Sequence, residues 1–317
     1  MKRIVVLGGS GFLGKHVMHL LRERGYSAVS LSRRDGCDLM DLHGLTDRLG
    51  KARPAAIINC AAHVGSVHYV IKHPAQLIHD NTQLILNIYA AALEACPQTK
   101  IINPISNCSY PGHADRYCEP EWQNGPIHDS VLPYGMTRRM IYALGECYRK
   151  QYGSQSVNWI IPNAYGPGDS TDPNKVHALN GIIIRLIQAQ LLGNRKFEIW
   201  GTGKPVREWV YIADVARILV DSIAMEEQVY PLNLAQNKAY SIAEIAEIAA
   251  RALDYEVEFV FNTNYADGAP IKIMDDRRFR ERHPSFRFTP LEEGVRNTLD
   301  YYRSVLPAGS LLEKVAS

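Results

Sequence analysis

Arg3-Ile4-Val5-Val6-Leu7-Gly8-Gly9-Ser10-Gly11-Phe12-Leu13-Gly14 carries the clearest structural signal in the chain. A β-branched apolar run ends in a glycine cluster, and an amphipathic stretch, Phe12–Arg24, begins inside that cluster. Gly8, Gly11 and Gly14 stand three residues apart. Glycine permits the tight turn from strand to helix and lets backbone N–H groups and the helix N-terminus approach a pyrophosphate. Such a motif is weak alone, but at the first strand–helix junction it reads as a dinucleotide-binding loop. Its residues are Gly8, Ser10, Gly11, Phe12, Leu13 and Gly14.

Along the first half of the chain, short β-branched runs alternate with helical stretches. The strands are expected at Arg3–Gly8, Ala28–Ser32, Ala56–Cys60, Lys100–Ile105 and Val157–Ile161, and the helices at Phe12–Arg24, Ala75–Cys96 and Tyr134–Tyr152. Nearly continuous apolar strands between helices imply a parallel sheet covered on both faces. Beyond Pro162 the texture changes to a loop rich in Gly, Pro and Asp. A helix near Val176–Leu192, a strand at Phe197–Trp200, a Ser241-capped helix at Ile242–Leu253 and a last helix at Leu291–Val305 follow. The expected fold is α/β, a Rossmann-type doubly wound parallel sheet with a smaller C-terminal substrate-binding lobe. The first domain spans 1–165 and is rejoined by about 206–235; the smaller lobe spans 166–317.

The 317 residues are 46% hydrophobic and 21% charged, which suits a globular chain and excludes a disordered one. Thirty-five Lys and Arg against 33 Asp and Glu leave no polyanion footprint, so no nucleic-acid partner is expected. Six cysteines lie in the first half without a C-x-x-C pair, which suits a reducing compartment. The N-terminal apolar run is too short for a signal core, and no run reaches the ~18 residues of a membrane span. A cytoplasmic protein without a membrane partner is the expectation.

The second strand closes as Leu31-Ser32-Arg33-Arg34. An NAD site would put an acid there to hold the ribose hydroxyls, whereas two arginines suit a 2′-phosphate. Arg33 and Arg34 therefore favour NADP (NADPH) as cofactor, with Asp35 following immediately.

The Gly8/Gly11/Gly14 spacing resembles the extended short-chain dehydrogenase/reductase family. That resemblance places Asp38 and Leu39 at the adenine, and Ala61, Ala62, His63, Pro162 and Asn163 along the cofactor. The family uses Tyr-x-x-x-Lys at the start of a helix with a Ser at the end of the fourth strand. Here these are Tyr134, Arg138 and Ser106. Tyr is the acid/base, the cation lowers its pKa, and Ser polarises a carbonyl. Arg138 departs from the family's lysine: it keeps the charge but not the compact ammonium.

Other segments carry a narrower likeness. Ser106-Asn107-Cys108-Ser109-Tyr110-Pro111, Ala61-Ala62-His63-Val64-Gly65 and Asn163-Ala164-Tyr165-Gly166-Pro167 are similar to segments of the GDP-4-keto-6-deoxymannose 3,5-epimerase/4-reductases. So are Trp200-Gly201-Thr202-Gly203-Lys204-Pro205-Val206-Arg207-Glu208 and Asp267-Gly268-Ala269-Pro270-Ile271-Lys272. By this resemblance Cys108 is the epimerisation base, His177 the acid, and Asn163, Arg185, Trp200, Arg207 and Lys272 bind a nucleotide-sugar, GDP-linked in those relatives. The chemistry agrees. A ketone at carbon 4 acidifies the protons on carbons 3 and 5, and inversion needs a base on one face and an acid on the other. Thiolate and imidazole both exchange protons near neutral pH.

Two alternatives stay open: an enzyme retaining only epimerisation or only reduction, and a non-catalytic NADP-binding sensor. His63, His68, His73 and His79 crowd one stretch without a ligand pattern, so no metal is expected. The apolar faces of Asn81–Ala95 and Tyr134–Tyr152 suit a homodimer through a four-helix bundle, as in relatives, or packing within one chain.

Overall fold

The computed structural model describes residues 2–265 and 267–306, so the segment 307–317 assigned to the smaller lobe lies outside the described residues. Strand β1 (Arg3–Leu7) leads to helix α1 (Phe12–Glu23), β2 (Ser27–Leu31), α2 (Leu42–Ala52) and β3 (Ala56–Asn59). A short α3 (Val67–Lys72) precedes the long α4 (Pro74–Ala95), and β4 (Lys100–Ser106), α5 (Leu132–Tyr152) and β5 (Gln155–Ile161) follow. Next come β6 (Asn163–Tyr165), α6 (Ala178–Leu191), β7 (Lys196–Trp200), β8 (Val206–Tyr211), α7 (Ile212–Asp221) and β9 (Gln228–Asn233). The rest is β10 (Ala239–Ser241), α8 (Ile242–Ala252), β11 (Glu258–Asn262), β12 (Ile271–Lys272), α9 (Arg277–Arg282) and α10 (Leu291–Val305).

Six parallel strands form one sheet in the order β2-β1-β3-β4-β5-β9. Side chains alternate across a strand, so a continuous apolar run fills both faces. Ile4 and Val6 of β1 point to a core with Val17 and Leu21 of α1 and Val215 and Leu219 of α7. Val5 and Leu7 point the other way, to Leu45 of α2, Ile88 of α4 and Ile141 of α5. Each such side chain, fully buried, contributes roughly 1.5–3 kcal/mol of apolar transfer.

A row of asparagines on neighbouring strands breaks this apolar pattern. Asn59, Asn103 and Asn158 are buried on β3, β4 and β5, with Asn103 and Asn158 paired in register. Asn59 donates to Asn103 at 3.2 Å, Asn103 to Asn158 at 3.0 Å, and Asn158 to the Val229 carbonyl at 2.6 Å. The free end of the ladder, Asn59 Oδ1, accepts the Ala61 N–H at 3.2 Å. A buried polar row is tolerated because its amides are paired to one another. It fixes where the chain leaves β3.

The smaller lobe gathers around β8, which pairs with β6, β10 and β12, beside a separate two-stranded β7–β11 sheet. Helices α6, α8 and α10 bury Leu186, Ile245 and Leu299 in a third core. Within 206–235, β8 belongs to this lobe's sheet, while α7 and β9 lie with the large one. Ser241 and Glu244 cap α8 reciprocally, as the sequence expects. Among the described residues no helix is long and apolar enough to cross a membrane.

Candidate functional site

Gly8 turns the chain with φ +72° and donates its N–H to the Leu31 carbonyl at 2.8 Å. A Cβ on Gly14 would lie 2.1 Å from the Gly8 carbonyl oxygen, so α1 can start this close to β1 only with glycine there. Gly11 caps α1 without a side-chain hydrogen bond, and the first turn holds no acid. The positive end of α1 is therefore open to an anion. Phe12 and Leu13 pack against the core beneath it.

Ser10 Oγ donates to Ser32 Oγ at 2.9 Å, and Ser30 and Ser32 both donate to Asp35 Oδ2, at 2.6 and 2.5 Å. These bonds draw the carboxyl below its ordinary range and turn Asp35 back onto its own strand. Arg33 and Arg34 remain exposed at the carboxyl end of β2. Asp38 accepts the Met40 N–H at 3.0 Å, and Asn87 of α4 holds the carbonyls of Leu39 and Met40 at 3.0 and 2.9 Å.

Ser106 ends β4, and its Oγ accepts the Cys108 N–H at 3.2 Å within a short 3-10 turn. Arg139 clamps the following loop by donating to the carbonyls of Ser109, Gly125 and Trp122 at 2.7, 3.0 and 3.0 Å. A Cβ on Gly135 would meet the Cys108 carbonyl oxygen at 2.5 Å, so the start of α5 lies directly on that turn. This close approach sets Tyr134 beside Cys108. Burial raises the Tyr134 phenol, and Arg138 opposes that shift.

Arg138 is 3% exposed, with its guanidinium carbon 4.7 Å from the Tyr134 ring centroid. It donates to Asn81 Oδ1 at 3.1 Å. Asn81 also accepts the His63 N–H at 3.0 Å and donates to the His63 carbonyl at 2.7 Å. One buried amide thus ties Arg138 to the Ala61-Ala62-His63 segment. His63, expected along the cofactor, is half-buried, and its ring meets Asp80 Oδ2 at 2.8 Å and the Tyr69 hydroxyl at 3.1 Å. Arg138 Nε is buried without a protein partner, and a buried donor in that position suits a ribose hydroxyl.

Lys272 and Arg207 are register partners on the parallel pair β12–β8 and share one face. Lys272 Nζ donates to Cys108 Sγ at 3.4 Å. Arg207 donates to the carbonyls of Asp267 and Pro270 at 3.2 and 3.3 Å. Burial alone would raise the Cys108 thiol. Lys272, the Ser106 hydroxyl and Arg207 together overcome it and hold the thiol below its ordinary value.

His177 stands at the N-terminus of α6, its ring 5.3 Å from that of Phe12. Its Nδ1 meets Asp169 Oδ2 at 3.0 Å. Arg185 and Trp200 form a separate group: the guanidinium lies 4.5 Å from the Trp200 ring, which stacks on Tyr265 at 4.8 Å and 15°. Asp267 ties the turn that follows Trp200 to Arg207: its carboxylate accepts from the Thr202 N–H and hydroxyl at 2.8 and 2.7 Å, and its carbonyl accepts from Arg207. Asn163 sits half-buried at the start of β6, just after the buried Pro162.

The structure therefore joins Ser106, Cys108, Tyr134, Arg138, Arg207 and Lys272, sets His177 by the glycine turn, and puts Arg185 with Trp200. Among the described residues no hydrogen bond joins His177 to Cys108. Asn81, Asp169 and Tyr265 escaped the sequence reading, and Asp267 entered it only as the first residue of a motif, without a role. Asn81 alone left a signal, as a polar residue at the start of an otherwise apolar helix face. Among the described residues no three His, Cys, Asp or Glu side chains converge as a metal set.

A glycine turn under an open helix end, arginines at the second strand and a Ser–Tyr–cation set define a dinucleotide-binding α/β enzyme. The chain belongs to the NAD dependent epimerase/dehydratase family, whose sequence profile matches residues 4–243. It is 27% identical to a GDP-L-fucose synthase of Dictyostelium discoideum over 306 residues, covering 95% of each chain. It is 26% identical to a GDP-L-colitose synthase of Yersinia pseudotuberculosis, covering 95% of this chain and 97% of the relative. A crystal structure of a GDP-L-fucose synthetase from Naegleria fowleri bound to NADP superposes with a TM-score of 0.86 at 27% identity, covering 96% of this chain and 93% of that one.

Proposed function

We propose that this chain is an NADPH-dependent 3,5-epimerase/4-reductase acting on a GDP-linked 4-keto-hexose. The observation that carries the reading is the Cys108–Lys272 contact beside Tyr134: a thiol held toward its thiolate next to a phenol and a buried cation. The relatives' names, GDP-L-fucose and GDP-L-colitose synthase, supply the substrate class.

Cys108 removes the proton from carbon 3 or 5, and His177 returns one from the opposite face. Ser106 hydrogen-bonds the carbon-4 oxygen, and Tyr134 gives that oxygen its proton. Arg207 and Lys272 hold the diphosphate, and Arg185 with Trp200 receives the nucleoside end. Gly8, Gly11 and Gly14 with the start of α1 hold the pyrophosphate of NADPH, Arg33 and Arg34 its 2′-phosphate, and Arg138 its nicotinamide ribose. NADPH bound there supplies the hydride for carbon 4. Residues 1–165 with α7 and β9 form the cofactor side, and the lobe around β8 the substrate side. Exposed Ile78 and Leu86 of α4 and Met136 of α5 support a homodimer through a four-helix bundle. Six free cysteines suit the cytoplasm.

The test is incubation with GDP-4-keto-6-deoxymannose and NADPH in deuterium oxide. Deuterium should enter carbons 3 and 5 while NADPH is oxidised. One signal without the other reduces the protein to an epimerase or a reductase, and neither signal sinks the reading.

Cofactor choice gives an independent check. NADPH should bind tighter than NADH by about 1–3 kcal/mol, or roughly 5- to 150-fold, from charge-assisted contacts to the 2′-phosphate. Arg33→Ala combined with Arg34→Ala should erase the difference by weakening NADPH alone. Equal affinities in the parent protein would remove both arginines from the site.

A further inference from the structure

His177 has two ring nitrogens, and its partners treat them differently. Asp169 Oδ2 accepts from the His177 backbone N–H at 2.8 Å and meets the same residue's Nδ1 at 3.0 Å. Only the ring nitrogen nearer the backbone can share one acceptor with the main-chain N–H, so the ring orientation is fixed. A third donor, Asn180 Nδ2, reaches the same oxygen at 2.9 Å. Asn180 Oδ1 accepts the Gly166 N–H at 3.1 Å, which leaves only the NH2 end of that amide to face Asp169.

The surroundings hold this arrangement from every side. The Asp169 side chain is 4% exposed. Burial would push its carboxyl up, but the bonds from His177 and Asn180 bring it below its ordinary value, so it is a carboxylate and only accepts. On α10 the buried Tyr302 feels the same charge, its phenol raised by burial first and then by Asp169. On α1, Phe12 packs on the His177 ring, and one turn later His16 Nε2 meets the Pro167 carbonyl at 2.8 Å. Among the described residues His177 is the one basic partner of Asp169.

We propose that Asp169 is a positioning residue that keeps a proton on His177 Nδ1 and so presents Nε2 as the atom exchanging protons with the sugar. This rests on the reading of His177 as the acid of the epimerisation. In that step the electron pair of the enolate forms the new C–H bond, and the Nε2–H bond breaks. The imidazole is left neutral with its remaining proton on Nδ1, against Asp169, and solvent restores the proton on Nε2. A histidine free to carry its single neutral-state proton on either nitrogen would spend part of its time with the wrong edge toward the substrate.

Nitrogen NMR of protein labelled with 15N-histidine reads the tautomer directly, with the His177 signal identified by its loss in His177→Gln. The neutral ring should carry its proton on Nδ1 in the parent protein. Asp169→Asn, whose amide oxygen can still accept, should keep that tautomer and most of the deuterium exchange. Asp169→Ala should release the ring to a mixture of tautomers and slow exchange about 100-fold, the lower end of what a placed proton donor contributes. An Nε2–H tautomer in the parent protein overturns the proposal, as does exchange at the parent rate in Asp169→Ala. If the parent protein exchanges no deuterium at all, the epimerase reading falls, and the tautomer still decides what Asp169 does to His177.

Discussion

Cys108→Ser should slow deuterium entry at the sugar α-carbons by about 100- to 10,000-fold, the range of a positioned general base. NADPH binding should stay within about twofold, because the glycine turn and β2 do not touch this residue. The size follows from the Lys272 ammonium 3.4 Å from the thiol. That charge, with Ser106 and Arg207, draws Cys108 below the ordinary thiol range despite its burial. A serine hydroxyl in the same place does not ionise near neutrality. The pH dependence has a definite sign. Exchange needs the thiolate, so its rate climbs as pH rises through the Cys108 ionisation, and this limb lies lower than an unassisted thiol would set it. Lys272→Met removes the largest stabilising charge and should move the limb to higher pH. Parent-like exchange in Cys108→Ser would reduce the cysteine to packing.

Arg138→Met should cost reduction about 100- to 1,000-fold in single-turnover NADPH oxidation. Burial works against the tyrosinate of Tyr134, and the guanidinium over its ring is the charge that opposes it. Methionine fills similar space, keeps the apolar stem contacts and removes that charge. Arg138→Lys keeps a cation that can reach Asn81 and should stay within about tenfold of the parent. Rapid reduction in Arg138→Met would leave position 138 without an electrostatic role. A collapse in Arg138→Lys would show that reduction needs the planar fork lying on the tyrosine.

The layered half of the molecule was legible because periodicity and glycine placement are local signals. Arg3–Leu7 and Phe12–Glu23 fall within a residue of their expected limits. Helix α2 was missed: Leu42–Ala52 buries only Leu45 and Leu49, and its start depends on an Asp41 cap. The short strands β6, β10 and β12 were missed because their pairing with β8 is a tertiary fact with no periodicity of its own. In the site, Cys108, Lys272 and Arg207 were named from motif likeness. Their meeting depends on a parallel register between segments far apart in the chain. Asp169 was invisible for a related reason. An aspartate in a Gly-Pro loop reads as turn chemistry until the helix it faces is folded onto it.

The position of β9 bears on how the chain reaches this structure. Its neighbour β5 ends at Ile161, and residues 162–227 build much of the other lobe before the last strand of the large sheet is made. During synthesis, β5 is therefore a bare parallel edge, its N–H and C=O row open to any extended partner. Helix α7, which brings Val215 and Leu219 to the same core, emerges only shortly before β9. Over that interval α1 covers the first core without α7, and the closing pairing is a non-local one of the kind that slows folding. Fragments that stop before α7 keep both problems permanently, and those that stop between α7 and β9 keep the bare edge. A boundary drawn after β5, where the two halves look separable on paper, cuts the large sheet off from its own last strand.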